Sequence, residues 1–111
     1  MINTIRELIQ QVRETPAMYI GDFSVVKFSH FLDGFIFARD DAGDHTFSDA
    51  LRGFQEKVEE RYSIELSIHW SQILAFVCQS ETKGLDRFWK MWDEHLSEVA
   101  LPNPAPEESG P

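Results

Sequence analysis

The sequence predicts an all-α fold, a single bundle of about five helices. Apolar residues recur at three- and four-residue intervals through most of the chain, the period of a helix with one buried face. Serine, threonine or asparagine stands ahead of nearly every such run, where its side-chain oxygen can cap the free N–H groups of a first turn. Strict apolar–polar alternation, the mark of a strand, is confined to one short stretch at 62–68.

The first helix carries Ile5, Leu8, Ile9 and Val12 on one face and Arg6, Glu7, Gln10, Gln11 and Arg13 on the other, with Asn3 or Thr4 as its cap. It should end near Glu14, because Pro16 disfavours helical geometry in the residue before it. The connector from Thr15 to Asp22 is unusually apolar. Its Met18, Tyr19 and Ile20 either close one end of the bundle or form a contact surface, and Gly21 suits a positive φ. Ser24 caps a second helix with Val25, Phe28, Phe31, Leu32, Phe35 and Ile36, running to about Arg39. Gly34 is unfavourable inside it and suggests a close approach to a neighbour.

A polar loop, 40–45, precedes a third helix capped by Thr46 or Ser48 and carrying Phe47, Leu51, Phe54, Val58 and Tyr62. Arg52 and Glu56 are one turn apart there and suited to a weak pair. Residues 62–68 have no obvious partner strand and read as an extended link. They lead into Trp70, Ile73, Leu74, Phe76 and Val77, a segment apolar on most sides and expected to be the central buried helix. Ser80 or Thr82 caps the last helix, with Leu85, Phe88, Trp89, Trp92, Leu96 and Val99 inside and Lys83, Arg87, Lys90, Asp93, Glu94 and Glu98 outside. The domain is therefore expected to span 1–100. Residues 101–111 form a proline-rich tail unsuited to a core.

Composition narrows the function. The 111 residues carry a net charge of −9, which repels phosphate backbones and anionic lipid. Nucleic acid and membranes are poor partners on that ground, and a basic protein is a better one. The single cysteine, Cys78, cannot form an internal disulfide and lies in an apolar run, where it reads as a buried small hydrophobe. The N-terminus lacks the order of a signal peptide, and no apolar stretch has the length of a membrane span, so the expected location is cytoplasmic.

Catalytic and cofactor motifs are sparse. None of His30, His45, His69 and His95 belongs to an HExxH motif. His30 with Asp33, and His45 with Asp49, are one turn apart and read as surface pairs before catalytic ones. Asp40, Asp41 and Asp44 lack the spacing of a calcium loop. There is no GxxxxGK[ST], GxGxxG or GxSxG. The expectation is a binding protein without catalytic residues, cofactor or metal. Three features would serve a partner: the apolar pair Met18 and Tyr19, the acidic set Asp40, Asp41, Asp44, Asp49, Glu56, Glu59 and Glu60, and the exterior of the last helix.

The order of motifs resembles a known family. A first helix is followed by Thr15-Pro16-Ala17-Met18-Tyr19-Ile20-Gly21, then by Ser24 and a helix containing Phe31-Leu32-Asp33-Gly34-Phe35. Later come Trp70-Ser71-Gln72-Ile73-Leu74 and the aromatic Phe88-Trp89-Lys90-Met91-Trp92. This is similar to small immunity proteins of bacterial contact-dependent and polymorphic toxin systems, with Thr15 where arginine is usual and Ala17 where glycine is usual. The resemblance implies a cytoplasmic inhibitor that binds the C-terminal domain of its own toxin stoichiometrically. Many such toxins are nucleases with basic substrate sites, which an acidic protein suits. The 15–21 motif also resembles the gyrase ATP-binding subunit, but Gly34 follows Asp33 where that family has asparagine, and its later glycine-rich loops are missing. A small helical adaptor without catalytic activity is the alternative.

Overall fold

The computed structural model describes residues 2–99, so the predicted tail at 101–111 and the predicted domain boundary at 100 lie outside the described residues. Six helices follow in order: α1 (Ile5–Glu14), α2 (Pro16–Ile20), α3 (Val25–Asp41), α4 (Thr46–Arg61), α5 (Trp70–Cys78) and α6 (Glu81–Glu98). The architecture is an all-α bundle, with no strand among the described residues.

Capping chemistry sets most boundaries. Thr4 Oγ1 accepts from Glu7 N–H while Glu7 returns a carboxylate oxygen to the N–H of Thr4, a reciprocal cap on α1. Ser24 and Ser80 cap α3 and α6 by accepting from the N–H of Lys27 and Lys83. The additional helix, α2, replaces the expected connector. Pro16 occupies its first turn, where a missing N–H costs nothing, and Gly21 closes it at φ +71° with an N–H to the Ala17 carbonyl. At α4 neither Thr46 nor Ser48 is the cap. The cap position is His45, and Asp44 accepts from both the N–H and the hydroxyl of Thr46.

The alternating stretch is a non-helical link. Gln55 of α4 supplies what a strand partner would. Its Nε2 donates to the Ile68 carbonyl at 2.7 Å and its Oε1 accepts from the N–H of Trp70 at 2.7 Å. His69 then caps α5, with Nδ1 accepting from Ser71 N–H.

The core is built on rings. Phe88 of α6 lies 4.9 Å from Phe28 of α3, 5.0 Å from Phe54 of α4 and 5.0 Å from Trp70 of α5, centroid to centroid, the first two edge-on. Around this hub α1 contributes Ile5, Leu8, Ile9 and Val12, all buried. Two expectations change here. α5 is not central: it is nine residues long and buries Trp70, Ser71, Ile73 and Leu74, while Phe76 on its outer side is 82% exposed and Cys78 is half-buried. A short peripheral helix has one face on its neighbours and one in water, whatever its composition. The glycine needed for close approach is Gly84, not Gly34. A Cβ on Gly84 would stand 2.8 Å from Val25 Cγ1 and 3.3 Å from the Ala75 backbone nitrogen, whereas one on Gly34 would meet open space.

Among the described residues no helix is long and apolar enough to cross a membrane.

Candidate functional site

The proposed apolar feature divides in two. Met18 is 80% exposed. Tyr19 leans on Phe31 at 5.9 Å and donates its hydroxyl to Gln11 Oε1 at 3.2 Å, and Ile20 turns into the core. α2 therefore covers the bundle with one side and presents Met18 with the other. The acidic set lies elsewhere. Phe31 and Asp41 are ten residues apart on α3, about 15 Å along its axis. The fold does not bring Met18 and Tyr19 together with the carboxylates.

The acidic residues follow the turn between α3 and α4 and then the outer face of α4. Asp40 accepts from the Ser48 hydroxyl at 3.0 Å and lies 2.9 Å from His45 Nδ1, so His45 is paired with Asp40 and not with Asp49. Asp44 lies 3.6 Å from Arg39, and its pKa is lowered chiefly by the Thr46 hydroxyl and N–H. Asp49 takes Arg52 at 2.9 Å in place of the expected pairing of Arg52 with Glu56. Glu59 accepts from Gln55 and is half-buried. Asp44 and Glu59 thus hold the turn and the link in shape. Asp41, Glu56 and Glu60 are exposed and make no ion pair among the described residues. Asp49, Glu56 and Glu60 fall on one stripe of α4, about 16 Å long, since residues seven and eleven apart share a face.

Two neighbours extend this edge. Phe37 is 75% exposed and stands one turn before Asp41 on α3, an aromatic ring in water beside a free carboxylate. Sequence reasoning passed over it because it falls off the stripe of Val25, Phe28, Leu32 and Ile36; that misfit was the available signal. On the other side α6 adds Glu94 and Glu98. Lys57 reaches both, at 3.8 and 2.9 Å, and Arg61 pairs with Glu94 at 2.6 Å. The Lys57 hydrogen bond is the main reason the Glu98 carboxyl is held below its usual range.

A shallow groove between α4 and α6 is lined by Gly53, Glu56, Glu60, His95 and Glu98. His95 is buried against Phe54 and Trp92, and a Cβ on Gly53 would lie 3.5 Å from its Nε2. Burial, then the nearby Lys57 charge, lowers the pKa of His95. Sequence reasoning did not assign His95 to the core; its place on the stripe of Leu85, Phe88 and Trp92 was the available signal.

The other candidate pair, His30 with Asp33, forms no ion pair among the described residues. Asp33 lies 4.0 Å from His69 Nε2 across to α5. Among the described residues no three His, Cys, Asp or Glu side chains gather as metal ligands. The arrangement is suited to recognising cationic side chains: exposed carboxylates at a low-dielectric wall, with one exposed ring, Phe37, a turn before Asp41 at the α3 end. Comparison with models of protein families, with curated proteins and with solved structures finds no match.

Proposed function

We propose that this protein is an immunity protein that binds a basic toxin domain and neutralises it stoichiometrically. The observation that carries the reading is the edge formed by α3 and α4. Phe37 offers an apolar anchor, and Asp41, Glu56 and Glu60 offer charge not already spent on the chain's own cations. An exposed aromatic one turn from an unpaired carboxylate, followed by two more along α4, has the composition of a binding centre with a charged rim. The overall charge of −9 adds long-range attraction to a basic surface. The motif order from Pro16 to Phe35 supplies the class of partner by resemblance. A standard interface buries about 1,600 Å² in total.

Co-expression with the C-terminal toxin domain encoded beside this chain tests the reading. Rescue of growth and co-purification are expected. Phe37→Ala should raise the dissociation rate. Reversing Asp41, Glu56 and Glu60 to lysine should slow association at least about tenfold at low salt and flatten its salt dependence. A folded, toxic neighbour that is neither bound nor neutralised rejects that partner. Unchanged association kinetics in the triple reversal rejects this edge as the binding face.

A further inference from the structure

The cations of this acidic chain are unevenly used. Arg13, Lys27, Arg39, Arg52, Lys57 and Arg61 are each within ion-pair distance of a carboxylate. Of the ten lysines and arginines, that leaves Arg6, Lys83, Arg87 and Lys90 without an ion pair among the described residues. Three of these four line one groove at the α5–α6 hairpin, together with Val77, Cys78 and Asp86. Lys83, Arg87 and Lys90 are spaced at i, i+4 and i+7, so they form one stripe of α6, where like charges repel. Arg87 is fixed there by its hydrogen bond to the Tyr62 hydroxyl. A chain with excess carboxylates places one of them, Asp86, in this groove against three adjacent cations, and none of the three is in an ion pair among the described residues.

We propose that this groove binds a carboxylate-rich, extended segment of a partner protein. Lys83 and Lys90 are about 10 Å apart along the helix axis, so the stripe offers charge over a length greater than one small tetrahedral anion. An extended segment places same-face side chains about 7 Å apart, so two or three carboxylates in register span the stripe. Val77 gives the segment an apolar wall. A nucleic acid presents a similar charge spacing, but it continues past the groove over a surface that is negative overall. A short acidic segment ends where the cations end. This groove lies on α5 and α6, apart from the edge of α3 and α4, and does not depend on the role of that edge.

Cys78, the only cysteine, is half-buried in the groove and serves as a built-in reporter. The experiment follows alkylation of Cys78 by neutral iodoacetamide in the full chain at low ionic strength. Hexaglutamate should slow the reaction severalfold, hexalysine should not, and added salt should remove the protection. K83E/K90E should lose the protection while keeping the far-UV spectrum, because both side chains are exposed, and K83Q/K90Q should lose most of it. Absence of protection by hexaglutamate overturns the proposal, as does equal protection in K83E/K90E. Protection by tripolyphosphate without protection by hexaglutamate also overturns it, in favour of a small phosphate site.

Discussion

The same substitution at two glycines should have opposite effects. Gly84→Ala places a Cβ 2.8 Å from Val25 Cγ1 and 3.3–3.4 Å from the backbone of Ala75. Val25 is fully buried and β-branched, so it has little freedom to turn away, and Ala75 moves only if α5 moves. Overpacking of this kind costs about 1–3 kcal/mol, against a gain of about 0.8–1 kcal/mol in helix propensity. A 2.8 Å approach to a rigid, buried neighbour belongs in the upper part of that range, about 2–3 kcal/mol, so the balance is a loss of roughly 1–2 kcal/mol, and Tm should fall by about 5–10 °C in a domain of this size. Gly34→Ala meets nothing within 4 Å on an exposed helical surface and keeps only the propensity gain. Its Tm should rise by roughly 3–5 °C. Urea and thermal melts of both variants beside wild type decide the matter. A G84A protein as stable as wild type would refute the close packing of Gly84 on Val25 and Ala75, and a G34A protein less stable than wild type would refute the open surface assigned to Gly34.

Other perturbations have equally definite outcomes. His69 and His95 both have pKa values lowered from 6.5, mainly by burial, so the folded state disfavours a proton that the unfolded chain accepts. Their stabilisation is therefore present above pH 6.5 and lost as pH falls below it; the urea midpoint should drop between pH 7.5 and 5.5, and less so in H95F. The lowered carboxyls of Asp22, Asp44 and Glu98 act in the same direction at lower pH, with stability lost as pH falls below about 4. Thr4→Ala should cost about 1 kcal/mol, and Ser24→Ala more than that, because Ser24 also bonds Glu81; equal losses would remove the distinction. Phe88→Ala should cost about 3–5 kcal/mol, whereas Phe76→Ser should stay within about 0.5 kcal/mol, as equilibrium unfolding will show.

Most of the fold was legible because it follows from periodicity and capping. Leu8, Val12, Phe28, Leu32, Phe54, Val58, Phe88 and Trp92 are buried as their spacing requires. The misses share one cause: they depend on which neighbour an element meets. Pro16–Ile20 is too short for a period to register. Phe76 looks like core until α5 proves to be peripheral. The contrast between Gly34 and Gly84 is invisible without the crossing of α5 and α6. In the candidate edge, the sequence placed Asp49, Glu56, Glu59 and Glu60 on the helix that is α4 and Asp40, Asp41 and Asp44 in the loop before it, but did not distinguish those occupied locally, such as Asp44, from Asp41, Glu56 and Glu60. It also overlooked Phe37, whose significance lies in packing against nothing.

The ring cluster around Phe88 has an optical consequence. Trp70 and Trp92 are buried in it, and half-buried Trp89 lies against both Phe88 and Phe28. Every tryptophan of the chain therefore emits from one neighbourhood shared by α3, α5 and α6. Arg13 of α1 sits over the Trp89 ring at 5.6 Å, so detachment of the first helix is felt at the same place. Emission from this protein is a gauge of the whole assembly, and a red shift on loosening α1 alone should come from Trp89 and from Trp92, which borders the groove between α1 and α6, while Trp70 of α5 keeps its surroundings.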